Sequence, residues 1–265
     1  MKLNSLKACV LRVGGTNCDG EIKRVLEDMG LSTDIVHMNQ MAKRNLAEYQ
    51  MLVFPVGFSY GDYVRAGAIW SREIFTKLRS DLEVFINEDK LVLGICNGFQ
   101  VLVETGILPG DGLSVTGMPT AVLANNVSAK YECRWVALKV EGNRTPFTGT
   151  LKKDQILRIP IGHGEGRFLL QSEDALNDLI KDGQIIFRYA SADGNGANGK
   201  YPDNPNGAVY DIAGICNKKG NVMGMMPHPE RAFFGWQLPS WGKELSRYGD
   251  GRAIFEGAIN YLRKY

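Results

Sequence analysis

The sequence predicts an α/β fold in which a mostly parallel sheet with flanking helices carries an added section of antiparallel strands. Two apolar runs, residues 51–56 and 91–95, are almost continuous, which is typical of parallel strands covered on both faces. Such runs alternate with helical patterns in the first half of the chain, whereas strand patterns dominate the second half. We expect a single domain over residues 1–265, since neither an internal repeat nor a Ser/Pro-rich linker interrupts the sequence.

The first half is predicted to consist of βαβ units. The spacing of Ile22, Val25, Leu26 and Met29 indicates a helix that ends at Gly30, and a polar, helix-compatible stretch separates the second and third strands. Right-handed crossovers bring the carboxyl ends of the strands to one edge, where ligands bind and where the loops at residues 14–18, 57–62 and 96–98 converge. The predicted strands are residues 7–13, 33–38, 51–56 and 91–95, and one amphipathic helix covers residues 71–87.

The second half is predicted to be mostly strands. We expect helices near residues 173–181 and 251–264 and a hairpin turn at residues 217–221. Residues 191–207 are rich in Gly, Asn and Pro and are expected to form a loop. The predicted strands are residues 131–140, 155–161, 184–190, 208–217 and 221–227.

Composition and charge argue against several classes of protein. The 265 residues are 44% hydrophobic and 23% charged with a net charge of +2, so we expect a sizeable core and no nucleic-acid partner. No apolar stretch approaches the ~18 residues of a membrane span, and the N-terminus lacks the features of a signal peptide. The five cysteines are widely spaced without a CxxC pair, which favours a reducing cytoplasm over a disulfide framework or a metal site.

Cys96 stands where an apolar strand pattern stops and a helical pattern begins. The sequence there reads Gly94-Ile95-Cys96-Asn97-Gly98, which has the spacing of a nucleophile elbow. A helix that starts at this point favours a thiolate and offers N–H groups to an oxyanion. The alternative is a buried structural cysteine. Cys18 also precedes a helix but lacks the flanking glycines, so helix-start packing is the better interpretation there.

Two His-x-Glu segments follow predicted strands and supply candidate bases. In His228-Pro229-Glu230, residues i and i+2 can point the same way, so that the carboxylate orients the imidazole as in a catalytic triad. Proline stiffens this segment by fixing φ. The alternative for His228 is a surface turn residue. His163 and Glu165 form a rival pair in a glycine-rich loop, which we assign to access to the site or to partner contact. His37 is expected to pack within a strand.

Long motifs then resemble a known family. "GICNGFQ" and "HPE" resemble the class I, triad-type glutamine amidotransferases, whose fold is flavodoxin-like. "GGTNCD", "GFSYGDYVRAGAIW", "RWVALKV", "IPIGHGEGRF", "NPNG" and "MGMMPHPER" resemble, within that family, the glutaminase subunits of phosphoribosylformylglycinamidine synthases. The resemblance covers roughly residues 7–231. It implies hydrolysis of glutamine to glutamate and ammonia, which is passed on for de novo purine (IMP) biosynthesis.

The resemblance also implies roles for individual residues. Cys96 would be the nucleophile, His228 the general base and acid, and Glu230 the residue that orients His228. The oxyanion hole would be formed by backbone N–H groups, and further residues would bind the substrate glutamine. The residues concerned are Gly57, Phe58 and Asn97 for the oxyanion hole, and Gln100, Glu132 and Cys133 for glutamine.

Some residues depart from the pattern of the family. Val56 stands where the oxyanion loop usually has its first glycine, and a β-branched residue resists positive φ. Gly14 replaces a common proline. In the long C-terminal tail, Phe234, Trp236 and Trp241 are either part of the core or an apolar patch for a partner.

The resemblance implies a partner as well. The chain has no P-loop, so no cofactor is expected in it, and ATP and Mg²⁺ are expected on a large synthetase subunit. A small bridging subunit is also expected, and ammonia would travel through an internal channel. The competing interpretations are a stand-alone cysteine hydrolase and a non-catalytic scaffolding subunit. The long motifs argue against the first, and intact Cys96, His228 and Glu230 argue against the second.

Overall fold

The computed structural model of the chain describes residues 6–110, 116, 118–240 and 246–264. Within these ranges the helices are α1 (Asp19–Asp28), α2 (Ala68–Lys77), α3 (Arg79–Asn87), α4 (Asn97–Glu104), α5 (Glu173–Lys181) and α6 (Arg252–Leu262). The strands are β1 (Lys7–Arg12), β2 (Ser32–His37), β3 (Met51–Phe54), β4 (Leu91–Ile95), β5 (Ala121–Ala124), β6 (Glu132–Val140), β7 (Ile156–His163), β8 (Arg167–Leu170), β9 (Ile185–Ala190), β10 (Ile212–Cys216) and β11 (Val222–Met225).

The main sheet has nine strands in the order β2-β1-β3-β4-β11-β10-β9-β6-β7. Pairs from β2 to β11 are parallel, and pairs from β11 to β7 are antiparallel. β3 and β4 are buried along their whole length, as their continuous apolar sequences predict. The predicted fold class, a parallel sheet with helices and an added antiparallel section, is therefore confirmed.

The pairing of β4 with β11 brings two distant parts of the sequence to one edge of the sheet. The strands are parallel, with Ile95 opposite Met225 at their carboxyl ends. The Cys96 N–H continues this ladder by donating to the Met225 carbonyl at 2.8 Å. Cys96 and His228 thus follow neighbouring strands at the edge where ligands bind in such sheets.

The prediction of one helix over residues 71–87 is wrong. The chain changes direction at Leu78 (φ −132°, ψ 1°), which ends α2 and begins α3. Leu78, Leu82 and Phe85 are all buried, so the change of direction keeps successive apolar residues on the core. Periodicity alone does not reveal such a break, because the apolar spacing continues across it.

Two further segments differ from the prediction. The strand expected over residues 208–217 begins only at Ile212, because Tyr210 and Asp211 have φ of 53° and 57° and belong to a 3₁₀ helix, Val209–Asp211. The short strands β5 and β8 were not predicted; they pair antiparallel as a separate two-stranded sheet. The polar stretch between β2 and β3 forms two 3₁₀ helices, Met38–Lys43 and Leu46–Glu48.

The C-terminal tail divides its aromatic residues between core and surface. Phe233 is fully buried and packs against Tyr248 and Phe255. Phe234 stacks on the half-exposed Trp236 at 5.5 Å between ring centroids. Trp241, the third residue named from the sequence, lies outside the described residues. No helix in the described part of the chain is long and apolar enough to span a bilayer.

Candidate active site

Cys96 occupies a strained turn between β4 and α4. Its φ of 50° and ψ of −103° lie outside the regions favoured by non-glycine residues, as expected for a nucleophile elbow. The glycine at position 98 is required by a close approach, since a Cβ there would overlap the Phe54 carbonyl. A Cβ at Gly94 would lie 2.7 Å from the Gly98 carbonyl oxygen. Small residues on both sides therefore allow α4 to begin directly against the sheet.

The Cys96 thiol is buried and uncharged at rest. Its side chain is 4% exposed, and its Sγ lies 3.6 Å from the Gly162 carbonyl oxygen, to which the thiol donates. Burial raises the pKa of Cys96 to about 12, although the Asn97 N–H at the start of α4 opposes this rise. The helix terminus alone therefore does not produce a thiolate.

His228 immediately precedes a short 3₁₀ helix, Pro229–Ala232, which includes Glu230. The His228 N–H donates to the Pro160 carbonyl at 2.8 Å, and Gln237 Nε2 donates to the Glu230 carbonyl at 2.9 Å. A Cβ on Gly162 would lie 3.6 Å from His228 Cε1, so the imidazole and the Cys96 thiol share Gly162 as a neighbour. The segment is thus held by its backbone at both ends.

The two side chains of this segment are buried and loosely paired. His228 Nδ1 and Glu230 Oε1 are 3.8 Å apart, and neither ring nitrogen of His228 has a hydrogen-bond partner among the described residues. Burial lowers the pKa of His228 to about 3 and raises the pKa of Glu230 to about 7. A neutral imidazole at physiological pH is the form that accepts a proton from a thiol.

The rival pair, His163 and Glu165, is not a dyad in this structure. His163 Nδ1 contacts Asn126 Oδ1 at 3.1 Å, whereas Glu165 Oε2 accepts from the Ala66 N–H at 3.0 Å. Burial lowers the pKa of His163 to about 4. The Glu165 carboxylate therefore connects the loop between β7 and β8 to the loop before α2, and it does not orient His163.

The expected oxyanion loop, residues 56–58, is bound to the loop that precedes α1. The Val56 carbonyl accepts from the N–H groups of Asn17 and Cys18 at 3.0 and 3.3 Å. The Phe58 N–H donates to the Gly15 carbonyl at 2.9 Å, so in this conformation it is engaged away from Cys96. The Gly57 N–H makes no hydrogen bond within the described residues.

Asn97 and Gln100 on α4 form a buried network with their surroundings. Asn97 Oδ1 accepts from the Ser59 N–H at 3.1 Å, and its Nδ2 donates to Gln100 Oε1 at 3.0 Å. Gln100 Nε2 donates to the Glu165 carbonyl at 2.6 Å. The Gln100 side chain thus joins α4 to the loop that follows β7.

Glu132 and Cys133 begin β6, with Glu132 opposite His163 in the pairing with β7. The Glu132 carboxylate is buried, accepts from Ser128 Oγ at 3.0 Å and pairs with Arg134 Nη2 at 3.1 Å. Cys133 is exposed. The backbone of this strand end is therefore close to the loop that carries His163.

Two residues at the site were not singled out from the sequence. Asn126 Nδ2 donates to the carbonyls of Lys130 and His163, both at 2.8 Å, and thereby joins the two loops. The Tyr131 hydroxyl would lie 3.0 Å from a Cβ on Gly162, and its ring faces Phe58 at 6.3 Å between centroids. An isolated Asn in a polar loop gives no signal in the sequence. Tyr131 was included in a predicted strand, but no role was assigned to its side chain.

No group of three or more His, Cys, Asp or Glu side chains in the described part of the chain is placed to hold a metal ion. All five cysteines are free. The polar groups around Cys96 are side chains and backbone amides, which can move protons and stabilise negative charge.

Comparison with known proteins relates this site to a family. The model of the CobB/CobQ-like glutamine amidotransferase domain matches residues 5–262. The chain belongs to this family. A relative from Archaeoglobus fulgidus, phosphoribosylformylglycinamidine synthase subunit PurQ, is 44% identical over the whole of both chains. A relative of the same name from Methanococcus maripaludis is 41% identical over 97% of this chain and 98% of its own.

Solved structures agree with this membership. The structure of PurLQS from Thermotoga maritima has a TM-score of 0.74 and 35% identity, and the match covers 97% of this chain and 99% of that one. Another glutamine amidotransferase from Thermotoga maritima, at 16% identity and a TM-score of 0.52, shares the fold. The predicted family, the enzyme class and the function as glutaminase subunit of phosphoribosylformylglycinamidine synthase in purine biosynthesis are confirmed.

Proposed function

We propose that this glutamine amidotransferase hydrolyses glutamine with Cys96 as nucleophile, His228 as base and acid, and Glu230 as the residue that orients His228. The observation that carries the proposal is the placement of a strained Cys96 and a buried neutral His228 after neighbouring parallel strands. The Cys96 thiol and the His228 imidazole also share Gly162 as a neighbour. The separation of His163 from Glu165 leaves His228 as the histidine that has a carboxylate beside it.

The reaction proceeds through a thioester. His228 takes the thiol proton as Cys96 sulfur attacks the amide carbon of glutamine, and the C=O becomes a tetrahedral oxyanion. The C–N bond breaks when His228 returns that proton to the departing nitrogen, which leaves as ammonia. His228 then deprotonates water, whose oxygen attacks the thioester carbon, and the C–S bond breaks to give glutamate and the free thiol. Glu230 stabilises the imidazolium in both steps.

The oxyanion is stabilised by backbone N–H groups of Gly57 and Asn97, each contributing about 3 kcal/mol. The Phe58 N–H contributes only after the loop leaves the Gly15 carbonyl, to which that N–H now donates. The loop has strain that a second conformation can relieve, because Tyr60, Asp62 and Val64 all have positive φ. Closure of this loop is therefore the step that a docked partner would favour.

Glutamine is held beside this hole. We assign its contacts to Gln100 on α4 and to the strand end formed by Glu132 and Cys133, where backbone groups would meet the α-amino and α-carboxylate groups. The exposed Phe58 ring and the Tyr131 ring stand at the mouth of the site. His163 and Glu165 organise the loop that closes over the glutamine.

The ammonia is consumed by a partner. The relatives are named as subunits of phosphoribosylformylglycinamidine synthase, and the solved relative is described as PurLQS. We assign ATP and Mg²⁺ to a large synthetase subunit that converts formylglycinamide ribonucleotide to formylglycinamidine ribonucleotide, with a small bridging subunit in the assembly. A cytoplasmic location belongs to the proposal, in keeping with five free cysteines.

The test compares two nitrogen sources in the assembled enzyme. Cys96→Ala should abolish glutamine-dependent synthesis while ammonia-dependent synthesis stays within about twofold of the wild type, because only the first reaction needs the thiol. Cys216→Ala, which removes a buried thiol from β10, is the matched control and should retain both activities. Glutamine-dependent synthesis by Cys96→Ala would refute the assignment of the nucleophile. If adding a synthetase partner does not change the glutaminase activity, the result would favour a stand-alone hydrolase.

A further inference from the structure

The Asn97 carboxamide is a buried polar group that joins the oxyanion loop to α4. The residue is 1% exposed, and its Oδ1 accepts from the Ser59 N–H at 3.1 Å. Its Nδ2 donates to Gln100 Oε1 at 3.0 Å and makes a longer contact, 3.4 Å, with Asp62 Oδ1. The proposed reaction uses only the backbone N–H of this residue, so it leaves the carboxamide and its contacts unexplained.

Two backbone groups fix the direction in which the carboxamide points. Gln100 Nε2 donates to the Glu165 carbonyl at 2.6 Å, and a carbonyl only accepts, so Gln100 Oε1 is left facing Asn97. Asn97 then presents its NH₂ group to Gln100 and its oxygen to the Ser59 N–H, which only donates. A flipped carboxamide would place two donors together at Ser59 and two acceptors together at Gln100. The hydrogen bonds therefore run in a single direction, from the Ser59 N–H through Asn97 and Gln100 to the Glu165 carbonyl.

This chain of hydrogen bonds anchors one end of the segment that carries the oxyanion donors. At the other end, the Val56 carbonyl accepts from two N–H groups of the loop before α1. Gly57 and Phe58, whose N–H groups are assigned to the oxyanion hole, lie between Val56 and Ser59. An anchor on each side limits how far these donors move from Cys96.

We infer that the Asn97 side chain is a positioning residue for the oxyanion hole: its oxygen holds the Ser59 N–H, and Gln100 keeps that oxygen facing Ser59. The inference rests on the proposed roles of Cys96 and of the backbone donors. Because Gln100 is also assigned to glutamine, the residue that contacts the substrate and the residue that holds the loop share a hydrogen bond. Loss of the carboxamide should therefore impair formation of the tetrahedral intermediate and leave the thiol as reactive as before.

The experiment measures steady-state glutamate release by variants in the assembled enzyme at saturating partner. Asn97→Leu keeps the size of the side chain and removes both polar groups, and it should lower kcat by at least about tenfold. Removing one oxyanion donor outright costs about 100-fold to 1,000-fold, and here the donors are displaced but not removed. KM for glutamine should change by less than about threefold, because Gln100 keeps its bond to the Glu165 carbonyl.

Ser59→Pro removes the other partner of the same hydrogen bond. Ser59 is the first residue of a 3₁₀ helix, Ser59–Asp62, and the first position of a helix suits proline. This variant should show the same loss of kcat. The double variant should be no worse than the more impaired single variant, since both changes break one bond. A kcat equal to that of the wild type in either single variant would overturn the inference.

Alkylation of Cys96 by iodoacetamide gives a readout that separates the oxyanion hole from the thiol. The sulfur bonds to carbon as iodide leaves, so this reaction forms no tetrahedral oxyanion. The rate of labelling in Asn97→Leu should therefore stay within about twofold of the wild type while glutamate release falls. An equal fall in both reactions would show a disturbed thiol or fold and would overturn the inference. A rise in KM with an unchanged kcat would overturn it as well, because it would make Asn97 a contact of the substrate.

Asn221→Leu is the matched control, since it removes a buried carboxamide at the opposite end of β11 from His228. Asn221 Nδ2 donates to the carbonyls of Ile86 and Lys90 at 2.8 and 3.0 Å. The variant should lower the melting temperature while kcat per active site stays unchanged. A loss of kcat equal to that in Asn97→Leu would attribute the effect to stability and overturn the inference. Activity in Cys96→Ala would instead refute the proposed function itself, so the two failures are distinguishable.

Discussion

His228 Nδ1 and Glu230 Oε1 lie 3.8 Å apart, and both side chains are buried. The gap is longer than a hydrogen bond, so the pair is not yet a tight dyad. Burial disfavours charge on both groups, which keeps the imidazole neutral and raises the pKa of the carboxyl to about 7. On the proposed assignment, proton transfer from Cys96 would create an imidazolium at His228, which would draw the carboxylate closer.

Glu230→Gln should separate catalysis from stability. We expect kcat to fall by at least about 100-fold, because an amide does not stabilise the imidazolium. A folded-state pKa of about 7 against the ordinary value of 4.5 means that ionising Glu230 costs stability progressively as pH rises through this interval. The variant should therefore be more stable than the wild type at pH 8, by on the order of 2 kcal/mol, with a smaller difference at pH 4. Urea unfolding at both pH values checks this, and a variant that is less stable at pH 8 would contradict it.

Substitution of the two buried histidines should affect different kinetic parameters. His228→Ala should lower kcat by several orders of magnitude, as loss of a triad base does. His163→Ala should act mainly on KM or on stimulation by the partner, because His163 contacts Asn126 and not a carboxylate. Steady-state glutamate release from both variants decides the matter. The opposite ranking would make His163 the base.

Acid sensitivity should depend on His163. Burial lowers its pKa from 6.5 to about 4, so between these values the unfolded chain binds a proton that the folded chain does not. Stability should therefore fall with decreasing pH from about 6.5 downward, by about 1.4 kcal/mol per pH unit for such a group. His163→Gln should lose less stability than the wild type between pH 7 and pH 5. The difference in unfolding free energy between the two proteins at pH 8 measures the part of the effect that does not come from titration. If the unfolding free energy falls equally with pH in both proteins, His163 does not contribute to acid sensitivity.

Val56 should restrain the oxyanion loop. Its side chain is buried, its carbonyl accepts from Asn17 and Cys18, and it keeps a negative φ. A flip of the peptide that follows it is easier with glycine at this position. We expect stimulation of the wild type by its partner of at least ~10-fold, which corresponds to ~1.4 kcal/mol. Val56→Gly should raise the basal activity and reduce the stimulation, whereas Val56→Ala, which keeps the Cβ, should change both less. Equal stimulation in all three proteins would remove the loop as the switch.

Much of this fold could be predicted because its parallel strands are buried on both faces and read as apolar runs. Leu91–Ile95 is the clearest case, and the elbow after it follows from the spacing of Gly94, Cys96 and Gly98. The break at Leu78 could not be predicted, since apolar residues continue at helical spacing through it. The strands β5 and β8 are only four residues long, and their pairing is a tertiary contact.

The sequence suggests the residue types of the candidate site but not the contacts that these residues make. His-x-Glu occurs twice with the same spacing, and only the fold shows Glu165 turned to the Ala66 N–H. The engagement of the Phe58 N–H by Gly15 depends on loops separated by more than forty residues of sequence. The contact of Arg231 with Cys18 joins residues 213 positions apart. Sequence patterns report local spacing, so such long-range contacts escape them.

The most direct test of the central claim is to identify the cysteine that reacts with an electrophilic glutamine analogue, such as a diazoketone, by peptide mass spectrometry of the assembled enzyme. Catalysis by the elbow cysteine predicts stoichiometric labelling of Cys96, protection by glutamine, and no label on Cys9, Cys18, Cys133 or Cys216. His228→Ala should slow the labelling, because the buried thiol then lacks its base. Labelling of Cys18, with activity retained in Cys96→Ala, would contradict the account.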